Sequence, residues 1–102
     1  MQYCVYRNRA GGNYPLLLDV QSNIIGDLDR RMVVPLTEAD NFVGMTLPKR
    51  LIFTLYINGT EYTAVTVDMA SVPNSVLGEK VADVGHYRQT IKDSIDFLFD
   101  GF

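Results

Sequence analysis

Hydrophobic and polar positions alternate along most of this chain, and the period changes once, near residue 83. Residues 2–7 are rich in Tyr and Val and run into the polar turn Asn8-Arg9-Ala10-Gly11-Gly12-Asn13, which marks a first strand. Leu16, Leu18 and Val20 then alternate with Leu17, Asp19 and Gln21, the pattern of a half-buried strand with Asp19 on the wet side. Alternation returns from Arg30 to Leu36, with Met32, Val34 and Leu36 as the inner set. Pro35 has no N–H to give to a ladder, so it is expected at that strand's edge or end. Residues 51–57 and 60–67 flank Asn58-Gly59. Both residues tolerate the positive φ that a type I′ hairpin turn requires at its two central positions. A short extended piece follows from Met69 to Val76, broken by Pro73 and closed by Gly78.

After that the repeat is helical. Val84, Tyr87, Ile91, Ile95 and Leu98 fall in a narrow arc at about 3.6 residues per turn, the apolar stripe of one amphipathic helix. Asp83 is the expected N-cap, because its carboxylate can accept from the free amides of a first turn. The expected fold is therefore mainly β, a small antiparallel structure of short strands closed or nearly closed into a barrel, with one C-terminal α-helix.

Composition narrows the function more than the fold. The 102 residues make one domain, 1–102, with no linker, repeat or low-complexity tract, and a chain this short commonly gains stability by dimerising. The formal net charge of −3 disfavours a dedicated nucleic-acid binder, whose affinity rests on clustered Lys and Arg. One cysteine and one histidine cannot supply a Cys2His2 set within a chain, so neither a metal centre nor a cofactor is expected. Cys4 lies among apolar strand residues and reads as a small core side chain. His86 is read as a neutral structural residue in the first helical turn, where the dipole disfavours a positive ring. Gly11-Gly12 lacks the Lys-Ser/Thr and the helix of a phosphate loop. Arg30-Arg31 is read as a solvated strand end. Met1 leads into Gln2-Tyr3-Cys4-Val5-Tyr6 without a signal-peptide pattern, and no apolar run is long enough to span a membrane. A cytoplasmic protein without membrane contact is expected.

Two apolar exposures carry more information. Ile24-Ile25 sits between Ser22-Asn23 and Gly26-Asp27, where a surface turn should be polar. Either these side chains fold back to plug a barrel end, or they meet a partner. At the C-terminus, Phe97 falls well off the helical stripe and Phe99 at its edge, ahead of Asp100-Gly101-Phe102. Asp93, Asp96 and Asp100 gather on the opposite face, at the negative end of the helix dipole, where each carboxylate costs roughly 0.3–1 kcal/mol. The end is either frayed and solvated, or a tip of rings and carboxylates complementary to a basic partner, with arginine as the natural match.

Several segments together resemble the CcdB family, the toxin half of a toxin–antitoxin pair. They are Asp19-Val20-Gln21-Ser22 with Ile24-Ile25, Arg30-Arg31-Met32-Val33-Val34-Pro35-Leu36, and Asp68-Met69-Ala70-Ser71-Val72-Pro73. Val76 through Glu79, Val81-Ala82-Asp83, His86 and Gly101 continue the match, which runs from Met1 to Phe102 with one inserted residue near position 50. The resemblance implies an SH3-like barrel with a C-terminal helix, assembled as a homodimer. It implies a non-enzymatic toxin that binds the A subunit of DNA gyrase and traps it on cleaved DNA. It also implies a cognate CcdA-like antitoxin whose disordered arm removes the toxin, and which alone touches operator DNA, so that the pair represses its own promoter.

Carried over, the gyrase contacts are Ile24, Ile25, Arg88, Asp96, Phe99, Asp100, Gly101 and Phe102. The best-known plasmid-borne member has Trp in place of Asp100, Asn in place of Asp96, Glu in place of Arg88 and Ile in place of Phe102. The chain matches the family poorly from Thr37 to Arg50 and from Asn8 to Asn13. Antitoxin contacts are therefore placed at Asn8, Arg9, Ala10, Gly11, Gly12, Asn13, Asn41 and Phe42. Two alternatives stand beside the gyrase poison. One is an mRNA-cleaving ribonuclease toxin of the same barrel fold, and the other is a weakened copy that only binds antitoxin.

Overall fold

The computed structural model describes residues 1–23, 29–42 and 47–101. Seven strands form one antiparallel sheet: β1 (Cys4–Asn8), β2 (Leu16–Asp19), β3 (Arg30–Glu38), β4 (Ile52–Ile57), β5 (Thr60–Val65), β6 (Ala70–Pro73) and β7 (Leu77–Asp83). Among the described residues there is a single α-helix, α1 (Arg88–Asp100), which follows the last strand. The spatial order is β4-β5-β3-β2-β1-β7, with β6 also on β3. Among the described residues β4 and β7 do not pair, so the sheet is not closed, where a closed or nearly closed SH3-like barrel was expected. The mainly-β class with one C-terminal helix holds.

Residues opposite each other on neighbouring strands share a face, and two such rows build the core. Phe53, Ala64, Leu36 and Leu16 line up across β4, β5, β3 and β2. Val34, Leu18, Val5 and Ala82 do so across β3, β2, β1 and β7. Leu55, Ile57, Val84 and Ile91 complete the cluster, with Tyr87 and Ile95 packed at its margin. Each large aliphatic side chain buried here contributes about 1.5–3 kcal/mol. Cys4 is fully buried in β1, as expected of a small core residue.

The hairpin at Asn58-Gly59 forms as expected, with φ of 50° and 84° at its centre. Pro35 departs from expectation, lying buried in the middle of β3 opposite Leu17. The Val20 amide donates to the Met32 carbonyl at 3.0 Å. Bonded and non-bonded pairs alternate in an antiparallel ladder, which makes Leu17–Pro35 a non-bonded pair. The nitrogen of Pro35 therefore faces the other edge of β3. There β6 ends at the partner of Val33 and β5 begins at the partner of Leu36, so no amide is needed.

The helix also starts later than expected. The Asp83 carboxylate accepts from the Gly85 amide at 2.9 Å, a local turn that competes with capping. The Val84 amide donates to the Tyr3 carbonyl at 2.8 Å. Both bonds keep residues 83 and 84 out of the helix, and a 3₁₀ turn, Gly85–Tyr87, intervenes before α1. Val84 is nonetheless buried in the core. His86 lies in this turn rather than in the helix, exposed, with its ring centroid 4.5 Å from that of Tyr87.

Candidate functional site

Two surfaces stand out, one at the end of α1 and one between loops. On the helix, Ile91 and Ser94 are buried, Ile95, Phe97 and Leu98 half-buried, and Arg88, Lys92, Asp93, Asp96, Phe99 and Asp100 exposed. Ser94 ties the helix down. Its hydroxyl donates to the Arg50 carbonyl at 2.6 Å and lies 2.7 Å from the buried Thr66 hydroxyl. Phe97, off the apolar stripe, packs under the Arg50 guanidinium, 4.5 Å from the ring centroid. This cation sits beside the acidic end of the helix, on a residue outside the helix itself.

Phe99 keeps 71% of its surface exposed. At about 100° per residue it lies beside Asp96 and Asp100 on the exposed side. Gly101 ends the helix in the left-handed region, φ 74°, with its amide on the Phe97 carbonyl at 2.9 Å. A side chain at this φ is disfavoured, so glycine terminates the helix and fixes the tip. Asp96, Phe99, Asp100 and Gly101 are thus brought together. Arg88 shares their side of the helix but starts it, about 18 Å along the axis from Asp100 at 1.5 Å rise per residue. Ile24, Ile25 and Phe102 lie outside the described residues.

The second surface is a groove of about 660 Å³. Gly12, Asn13, Tyr14 and Pro15 form one wall, and Thr37, Asn41, Phe42, Leu47, Val65, Val67 and Asp68 the rest. Of the residues expected to meet antitoxin, Gly12, Asn13, Asn41 and Phe42 line it together. Asn8, Arg9, Ala10 and Gly11 do not. Asn8 instead organises the turn, accepting from the Ala10 amide at 2.9 Å and donating to the Tyr14 carbonyl at 2.8 Å. Gly11 and Gly12 take φ of 72° and 83°, which lets the chain turn back towards Tyr14.

Sequence reasoning missed Tyr14, Val67 and Asp68. The Tyr14 hydroxyl donates to Asp68, and partial burial together with that carboxylate pushes its pKa up to about 12. The sequence carried no signal of this, because Val65, Thr66, Val67 and Asp68 keep alternating apolar and polar although β5 ends at Val65. Thr66–Asp68 is a single 3₁₀ turn that sends Val67 and Asp68 into the groove and Thr66 against α1.

Arg31 also departs from expectation. It is no solvated strand end, because its Nε donates to Asp19 at 2.9 Å and its Nη2 to the Gln21 carbonyl at 2.9 Å. Asp19, expected on a wet face, is fully buried. Its carboxylate also takes the Met1 amino group at 3.1 Å and the Gln21 amide at 2.9 Å. Arg30 is exposed and donates to Ser71.

Among the described residues, neither surface brings together an acid–base pair with a nucleophile. A family model described as CcdB protein matches residues 2–101. The chain therefore belongs to the CcdB family, the toxins of the ccd toxin–antitoxin system.

Proposed function

We propose that this toxin acts by gripping the A subunit of DNA gyrase with the tip of α1 and trapping the enzyme on cleaved DNA, without catalysis of its own. The observation that carries the reading is Phe99, a large apolar ring left 71% exposed beside two carboxylates on a capped helix end. Aromatic anchors ringed by polar groups dominate the energetics of protein interfaces. Asp96 and Asp100 add charge-assisted acceptors for an arginine of the partner, which offsets their unfavourable place at the helix end. To trap one state, the toxin must bind the cleaved complex more tightly than the resealed one.

The active species is a homodimer, so that sedimentation should give twice the 11.5 kDa chain mass. The arm of a cognate CcdA-like antitoxin occupies the groove lined by Asn13, Asn41 and Phe42 and draws the toxin away in the cytoplasm. Operator DNA is met only through that antitoxin. The test is to incubate purified toxin with gyrase, supercoiled DNA and ATP. Linear DNA covalently linked to protein should accumulate with toxin concentration. Its absence with folded, dimeric toxin in excess would refute gyrase poisoning.

A further inference from the structure

We infer that the groove is built around an arginine of its partner, seated between Tyr14 and Asp68, with apolar partner side chains on Phe42, Leu47, Val65 and Val67. The inference rests on the reading of the groove as the antitoxin surface and adds the chemistry of the segment that fills it.

The walls set the problem. Most of the described lining is apolar or uncharged, and Asp68 is the one carboxylate among those residues. Among the described residues no lysine, arginine or histidine pairs with Asp68. It accepts from the Tyr14 hydroxyl, a neutral donor. An apolar segment laid over the groove would strip water from this carboxylate and leave its charge uncompensated, at a large desolvation penalty. A partner that brings a cation avoids that penalty and gains a charge-assisted hydrogen bond. An acidic partner would add repulsion to it, since Asp40 stands next to the groove residue Asn41 and the chain carries net charge −3.

Arginine fits better than lysine. Its planar fork can donate to one carboxylate while its face stacks on a ring, and the groove offers the Tyr14 ring at that carboxylate, with Phe42 also in the lining. A guanidinium is also less strongly hydrated than an ammonium, so it enters an apolar groove at lower cost. Tyr14 is neutral at physiological pH like any tyrosine, so its hydroxyl adds no charge beside Asp68.

The test uses two small probes that differ only in charge, phenylpropylguanidinium and neutral phenylpropylurea, titrated into the isotopically labelled full chain. The guanidinium should shift the amide signals of Gly12 to Tyr14 and of Val65 to Asp68. It should bind roughly tenfold more tightly than the urea, the difference expected of a charge-assisted pair. D68N should erase that difference with spectral changes confined to the neighbourhood of Asp68 and its partner Tyr14, because Asp68 is exposed. Equal binding of both probes to the unaltered chain would overturn the inference without recourse to any variant. Antitoxin co-expressed with the chain serves as the second arm. Bound guanidinium that antitoxin fails to displace would overturn the antitoxin reading of the groove while leaving the arginine pocket standing.

Discussion

Asp19 and Arg31 lie twelve positions apart, and each is misread when taken alone. Alternation in residues 16–21 sends Asp19 outward, and two adjacent arginines at a strand start suggest solvent. In the fold the carboxylate is fully buried, and Arg31 from the next strand reaches it at 2.9 Å. Nothing local in the sequence shows this, because the pairing depends on the register of β2 on β3. Hydrogen bonds from Arg31 to the Gln21 carbonyl and, at 3.3 Å, to the Asn23 side chain extend the tie along the same segment. Removing Arg31 takes one of two cations from the buried carboxylate, which keeps the Met1 amino group at 3.1 Å and the Gln21 amide. The cost is that of a lost hydrogen bond to a charged group, about 1.5–3 kcal/mol. Arg31→Met should lower the urea-unfolding free energy by that amount, and Asp19→Asn with Arg31→Met should recover part of it. A single variant as stable as the parent would show that the pair contributes nothing. Single apolar positions were far more legible: Cys4, Leu16, Leu18, Val34 and Leu36 are all core residues as the pattern required.

Strands and helix differ in how well their limits can be read. The Asn58-Gly59 hairpin is local chemistry and forms in register from Ile52–Val65 to Ile57–Thr60. The apolar stripe of α1 is equally local, and Ile91, Ile95 and Leu98 lie inward as read. The start of the helix was lost to two bonds from Asp83 and Val84 that a capping rule does not foresee. Nor could the stripe reveal Ser94, a polar residue on the buried face whose partners Arg50 and Thr66 come from distant turns. Ser94→Ala should cost about 1–3 kcal/mol, because the Thr66 hydroxyl and the Arg50 carbonyl lose a buried partner. Thr66→Val combined with Ser94→Ala should cost less than the sum of the two single changes, since both hydroxyls then leave together. Strict additivity in chemical denaturation would argue against a shared network.

At the scale of the molecule, one sheet carries two surfaces of different character. The groove is concave, with a single carboxylate among its described lining residues, and forms where residues 12–15, Thr37 of β3, and Asn41, Phe42 and Leu47 meet the Thr66–Asp68 turn. The tip is convex, an exposed ring with carboxylates on a glycine-capped helix. The same short turn serves both, with Thr66 against α1 and Val67 and Asp68 in the groove. The tip could be read from sequence because it violates helix-end preferences. Only part of the groove could, because its walls come from segments far apart in the chain. The central claim is that Phe99 and its neighbouring carboxylates form the contact with gyrase, and calorimetric titration of the toxin into the gyrase A subunit tests it most directly. Phe99→Ala should weaken binding by on the order of thirtyfold, corresponding to a hot-spot loss of about 2 kcal/mol, with no change in melting temperature, because the ring is solvent-exposed. Unchanged affinity in Phe99→Ala, against measurable binding by the parent chain, would contradict the account and move the gyrase contact elsewhere on the toxin.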